Sequence, residues 1–320
     1  MKKIAFSLLL AVLLLTSASC SVSRQESFHP VIAPGSYAIT VSNTEDIYYL
    51  NLKMFDHKKN SKRSSTDTVN RVYIGSPDEG RVIKADEIEI YPKDRIKLAD
   101  FDAFEVDFIL TLITNHICQI KDAHIELEYV NGESEQFYMG DIAFIYCDTA
   151  SEGKHVKERS ATPVCNEYME LQAMIIELEA TEEARLTQFN FNLPKYGINA
   201  DEVKVFHDND SFNKIKKLQE EGKLDSLFPG IYKMDMVEDV SYNFNNNTYL
   251  HKGMNMIVIP FTFKKGERYS PIKILGGYFE YEVDGQLYRR NLLSIPYVLV
   301  SSYMQEKIME WINYEGKRHN

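Results

Sequence analysis

Positive charge is what this 320-residue chain has least to spare: 36 Lys and Arg stand against 47 Asp and Glu, a formal net charge of −11. Without a sustained basic stripe it has little with which to displace counterions from a phosphate backbone, so no nucleic-acid partner is expected. Gly-x-Ser-x-Gly, His-Glu-x-x-His, the P-loop and Gly-x-Gly-x-x-Gly are also missing, which removes the commonest hydrolase, metalloprotease and nucleotide-binding chemistries. Strand and helix signals do not alternate, so a solute-binding protein built on parallel sheets is excluded as well. No cofactor is implied.

What is present begins with "MKKIAFSLLLAVLLLTSASC": Lys2 and Lys3, an apolar run from Ile4 to Leu15, then small residues ahead of Cys20. This is the order of a secretory signal over residues 1–19, too short for a stable membrane span. Ser17-Ala18-Ser19-Cys20 resembles a relaxed bacterial lipobox, with Ser17 where leucine is usual. The resemblance implies an exported lipoprotein acylated at Cys20. Its partner would be the membrane, through chains that contribute about 0.8 kcal/mol per buried methylene. Ser21 resembles the residue that follows the cysteine in lipoproteins released to an outer membrane or cell surface. Cleavage would remove Lys2 and Lys3 and no acid, taking the charge from −11 to −13.

After a polar tether over 20–35 come short runs such as "SYAITVSN", "IYYLNLKMF", "FEVDFILTLIT" and "HIELEYV", rich in β-branched and aromatic residues. They are expected to form a first antiparallel β-sandwich over 36–148. A linker is expected over 149–166, and a second sandwich with a C-terminal helix over 167–320. The ribbon "HIELEYVNGESEQFY" from His124 returns as "YFEYEVDGQLYRRN" from Tyr278, Gly285 answering Gly132, and the order of elements repeats with it. A domain-sized duplication accounts for this, because the period is too long for a solenoid. In the second ribbon an Asp284-Gly285 turn pairs Glu280 with Arg289 and Tyr281 with Tyr288. In the first, a three-residue loop over Asn131–Glu133 is expected to pair Leu127 with Phe137 and to avoid setting Glu128 against Glu135.

Two helices are expected. One follows Ser211 as N-cap and stops at Gly222; the other carries Met304, Ile308, Trp311 and Ile312 on one stripe, expected to pack on the second domain.

The chemistry-bearing patterns are sparse. Cys147 and Cys165 could close a disulfide across the linker, with Cys118 left over. Met234, Met236, His251, Met254 and Met256 offer the thioether and imidazole donors that suit Cu(I), although strand alternation also makes Met254 and Met256 inward packing residues. "HDNDS", with Asp208 and Asp210, lacks the glycine and glutamate of a calcium loop. Two Ser-x-x-Lys tetrads, at Ser151 and Ser211, lack the companion elements of penicillin-recognising enzymes. "HKKNSKR", His57 to Arg63, is the one dense basic run, either a solvated loop or a contact for anionic envelope polymers or lipid headgroups.

The architecture resembles tandem immunoglobulin-like or fimbrillin-like sandwiches, without the Cys, Trp and Cys spacing of antibody domains. That resemblance implies a non-catalytic binding or scaffolding role towards a protein or glycan at the envelope. The alternatives are a fimbrial or adhesion subunit, an envelope-acting enzyme and a copper-binding protein.

Overall fold

The computed structural model describes residues 28–41, 47–59, 61–98, 101–113, 118–146, 155–168, 170–296 and 304–318. The chain is mainly β and forms two sandwiches. In the first, one sheet runs β1 (Val31–Ile32), β3 (Ile47–Asp56), β7 (Phe101–Ile113), β6 (Glu87–Leu98). Facing it lie β2 (Gly35–Val41), β9 (Ser134–Tyr146), β8 (Gln119–Tyr129), β4 (Val69–Ser76) and β5 (Gly80–Lys84). In the second, β10 (Val156–Cys165), β11 (Leu171–Ala180) and β17 (Gly253–Lys264) are adjacent. Also paired to β17 are the short strands β13 (Tyr196–Ile198), β14 (Lys204–Phe206) and β15 (Asp235–Val237). Facing them are β16 (Tyr249–Leu250), β12 (Ala184–Asn190), β18 (Ile272–Val283) and β19 (Gln286–Pro296).

The two halves repeat one pairing scheme. β3 pairs β7 and β4 pairs β8, which pairs β9; β11 pairs β17 and β12 pairs β18, which pairs β19. With β1 and β10 as first strands, each half has the immunoglobulin order, ABED against CFG.

Alternation explains the outer strands. Along β8, Ile125, Leu127 and Tyr129 are buried while His124, Glu126 and Glu128 are partly exposed. β11 is apolar on both faces for a different reason. One face meets the sandwich core; the other, through Ala173 and Ile175, meets a layer made by helix α1 (Asn209–Glu220) and the turn after it, with Phe212, Ile215, Leu224 and Phe228. The N-cap of α1 is Asp208, whose carboxylate accepts from Ser211 N at 2.7 Å, and not Ser211 as expected. The oxygens of "HDNDS" thus serve a helix start.

The second ribbon has the predicted register, with Glu280 opposite Arg289 and Tyr281 opposite Tyr288. Asp284 and Gly285 both take positive φ, 49° and 78°, as a two-residue primed turn requires. The first ribbon differs. Its loop is Val130–Gly132, closed by Tyr129 N to Glu133 O, and Ile125 faces Phe137 while Leu127 faces Glu135. Gly132, at φ 83°, sets this loop one position earlier than expected. The resulting slip is two residues, so every side chain keeps its expected face and Glu128 avoids Glu135.

Four expectations about organisation are corrected. The tether is polar only in part: Phe28 and Val31–Ala33 are buried against the first sandwich. Residues 156–165, expected within the linker, form β10, because Val156 and Val164 have a core to enter. The sandwiches are not purely antiparallel, since β2 runs parallel to both β9 and β18, and β15 parallel to β17. Helix α2 (Met304–Arg318) packs its apolar stripe on β1 and β6 of the first sandwich, and meets the second through flanking contacts of Lys307 with Glu170 and of Tyr314 with Arg268. Ile308 and Ile312 of that stripe are buried with Phe28, Phe55 and Ala103.

Ile308→Ala is expected to cost about 2–4 kcal/mol, read by chemical denaturation. Hydrogen exchange should show the loss of protection in β1 and β6 and not in β11, the reverse of what docking on the second sandwich would give.

Candidate functional site

The feature that unites the two sandwiches is a buried charge cluster. Asp141 sits in the middle of β9 among apolar neighbours and is fully buried, as is Lys195 at the start of β13's approach in the second sandwich. Lys195 Nζ lies 2.9 Å from Asp141 Oδ1 and 2.7 Å from Asp122 Oδ1. Asp122 occupies a bulge in β8 with φ 51°, a left-handed conformation that Asp tolerates better than most residues. That turn lets its backbone N–H donate to Asp141 Oδ1 at 2.8 Å while its carboxylate reaches Lys195. On the other side of Asp141, the hydroxyls of Ser36 from β2 and Ser270 lie 2.8 Å apart and 3.4 and 3.5 Å from Oδ2. Tyr196 donates its hydroxyl to the Ser270 carbonyl.

The electrostatics follow from burial and pairing. Desolvation would lower the Lys195 pKa, but Asp141 and Asp122 outweigh it and hold the ammonium up at about 12. Desolvation raises Asp141, with Lys195 opposing it in part. For Asp122 burial also pushes upward, but the Lys195 hydrogen bond wins and the carboxyl is held below its usual range. The cluster is closed to solvent on the Lys195 and Asp141 side, and every polar group in it has a partner. It therefore fastens two domains and does not present a nucleophile.

Beside this fastening lies a cleft. A cavity of about 250 Å³ is lined by Pro30 to Ile32 and Pro34, by Arg63, by Glu135 to Tyr138 on β9, by Arg268 of the second sandwich and by Trp311 of α2. The Arg268 guanidinium stacks over Tyr138, 3.2 Å from its ring centroid, and lies 4.4 Å from that of Tyr314. Burial pushes the Tyr138 phenol up to about 12, so it is a hydroxyl donor at neutral pH. Arg63 is held by Glu135 at 2.6 Å and by buried Asp56 at 3.2 Å. Aromatic faces, amide and guanidinium donors and a carboxylate, contributed from three parts of the chain, can recognise a polar ligand but form no acid, base and nucleophile set.

The residues singled out in the sequence are mostly placed elsewhere. Cys20 and Cys147 lie outside the described residues; Cys118 and Cys165 are free, half-buried thiols whose pKa burial pushes up to about 11, which makes them unreactive. The thioether set is not assembled. Met234 is buried in the second core and Met256 beneath α1, while Met236 and Met254 are exposed. Met236 lies opposite Phe263 at one end of β17, seven residues from Met256 or about 23 Å, and His251 belongs to the Met254 end. In "HKKNSKR", Lys62 is 2.9 Å from Glu133 and Arg63 is bound as above, so the C-terminal end of the basic run is consumed within the protein. Ser211 donates its hydroxyl to Asp208 and not to Lys214, which disposes of that tetrad. Ser151 lies outside the described residues. Lys195, Ser36 and Ser270 were missed; the one legible signal was Asp141, a lone charge inside "QFYMGDIAFIYC". No helix among the described residues is long and apolar enough to cross a membrane.

No family model and no curated protein matches this chain. Among solved structures, it is similar to the D00-D0 domain of intimin at 8% identity, covering 84% of this chain and 100% of that one with TM-score 0.19. A protein of unknown function from Porphyromonas gingivalis W83 aligns at 8% identity over 85% and 100%, with TM-score 0.23. The sialic acid binding region of a Streptococcus sanguinis SK1 adhesin aligns at 10% identity over 90% and 87%, with TM-score 0.18. At these TM-scores none of the three informs the function of this chain.

Lys195→Met is expected to destabilise the protein by about 3–5 kcal/mol at pH 7, because it strands Asp141 in the interior. The folded-state pKa of Lys195 is raised, so its contribution is fully present below its unfolded value and is lost as pH rises through the folded one. Urea titrations from pH 8 to 12 should show the stability difference between wild type and Lys195→Met shrinking above about pH 10.4, the ordinary lysine value.

Proposed function

We propose that this chain is a lipid-anchored protein of the cell envelope, exported and held at the outer membrane or cell surface through Cys20, with a non-catalytic role in binding or scaffolding a protein or glycan. The observation that carries the binding part is the cleft at the domain junction. Its walls come from both sandwiches and α2, and the buried ion cluster beside it keeps them in fixed relation. A preformed site loses less conformational entropy on binding than one assembled around its ligand. Trp311 supplies a flat face that stacks on sugar rings or anchors a loop, Arg268 is held in place by stacking on buried Tyr138, and Gln136 supplies a directional polar contact. The anchoring part rests on the order of charge, apolar run, small residues and cysteine at the start of the chain.

Two measurements test these parts separately. Fractionation of cells expressing Cys20→Ala should move the protein out of the membrane fraction; retention there would end the anchor reading. Trp311 is the sole tryptophan, so its fluorescence reports on the cleft. Panels of envelope glycans and surface proteins should yield a binder that shifts this emission, and Arg268→Ala or Gln136→Ala should weaken it about tenfold, a loss typical of one well-placed contact. A binder insensitive to both substitutions, with unchanged emission, would place recognition elsewhere.

A further inference from the structure

The second cavity of interest lies on the second sandwich and shares no lining residue with the junction cleft. It has a volume of about 560 Å³ and is lined by Glu183, by Val203 to His207, and by Asn247 to Tyr249 with His251. Two imidazoles meet in its wall: the His207 and His251 ring centroids are 4.1 Å apart, with the planes tilted by 59°.

Which nitrogens carry the proton follows from the hydrogen bonds. Asn255, fully buried on β17, donates its amide nitrogen to the carbonyls of His251 at 2.7 Å and Gly253 at 2.9 Å. Those two bonds fix its orientation, so its oxygen is the acceptor, and it takes the backbone N–H of His251 at 2.8 Å. The same oxygen lies 2.8 Å from His207 Nδ1, which must therefore be the protonated nitrogen. His251 Nδ1 lies 3.3 Å from Glu183 Oε1, a carboxylate that can only accept. In both rings the proton sits on Nδ1, and in both the Nε2 lone pair is left as the donor. An imidazole whose other nitrogen donates to a carboxylate or amide oxygen is the arrangement that orients histidine towards a metal and raises its basicity.

The spacing agrees. With metal–nitrogen bonds of about 2.0–2.1 Å, two imidazoles bound side by side to one ion have centroids about 4.5–5 Å apart, so the rings need to open by less than about 1 Å. Among the described residues no three His, Cys, Asp or Glu side chains already converge as a metal site, so solvent would complete the coordination. Glu183 and Lys204 both line the cavity and offset one another in charge.

We propose that His207 and His251 chelate a divalent transition-metal ion of the zinc, nickel or copper(II) class. Nitrogen donors prefer these ions to Cu(I), which distinguishes this site from the methionine set that the fold disperses. It is independent of the junction cleft and of the reading given to it.

Calorimetric titration of the full chain with Zn²⁺ alone, and electron paramagnetic resonance with Cu²⁺ alone, test this. One site is expected, with superhyperfine splitting from two imidazoles. His251→Gln, an exposed substitution that leaves the Asn255 network in place, should weaken Zn²⁺ at least about tenfold and reduce the Cu²⁺ signature to one of these imidazoles; Glu183→Gln should weaken binding by about tenfold or less. Absence of Zn²⁺ binding, or identical titrations for wild type and His251→Gln, would overturn the site.

Discussion

A carboxylate in the middle of an apolar strand is the constraint on which the arrangement turns. Asp141 has no access to water, and an unpaired ion there would cost more than most single domains of this size can spare. The first sandwich supplies hydroxyl and amide partners through Ser36 and the Asp122 backbone, but the positive charge comes from Lys195 in the second. Neither half is electrostatically complete alone. A buried ion pair of this kind adds little net stability over an apolar replacement, but it strongly penalises any state in which one partner has left. Its effect is to make separation of the sandwiches costly.

Two further ties act in the same direction. β2 pairs in parallel with β9 of its own sandwich and with β18 of the other, so one nine-stranded sheet runs through both. The crossing is tight: a Cβ on Gly140, at φ 109°, would stand 1.8 Å from the Gly35 carbonyl oxygen, so only glycine lets β2 and β9 approach here. The chain then leaves the second sandwich and returns as α2 to cover Phe28, Phe55 and Ala103 of the first. Tandem sandwiches joined by a polar linker ordinarily hinge. Here the backbone ladder, the ion cluster and the returning helix together remove the hinge.

Much of this architecture could be read from residues, and the failures have physical causes. The Asp284-Gly285 hairpin was legible because a two-residue primed turn leaves one register, and the charge and aromatic pairs agreed with it. The first hairpin differs from its expected register by two residues because keeping Glu128 from Glu135 is satisfied by either three-residue loop, and only the positive φ of Gly132 chooses Val130–Gly132. Glu135 meets no repulsion, since Arg63 and the Tyr129 hydroxyl, at 2.7 Å, receive it. That same pairing is why the basic run looked like a free surface: apart from Asp56, its partners Glu133 and Glu135 lie more than 70 positions away and leave no local trace. The stripe on α2 was visible, but amphipathicity says only that a face is buried, not against which domain. Lys195, in "NLPKYG", carries no local mark of its role; only Asp141, charged where alternation demands apolar residues, pointed at the joint.

The repeated ribbon invites the thought that a repeated function goes with it, yet its acidic faces are internally compensated in both copies. Glu126 is bound by Arg81, Glu280 by Arg289 at 2.8 Å, and Glu282 by Arg185. A surface whose charges are already paired across neighbouring strands offers little field to a ligand, because each new contact must first displace an existing one. What distinguishes the halves is where their elements were not repeated: β2 reaching across, Asp122 turned into a bulge, and α2 laid back over the first sandwich. These departures converge on one place, and they build the cleft that holds Trp311, Tyr138 and Arg268 together. The shared pairing scheme supplies the walls, and the asymmetries between the two halves supply the cleft.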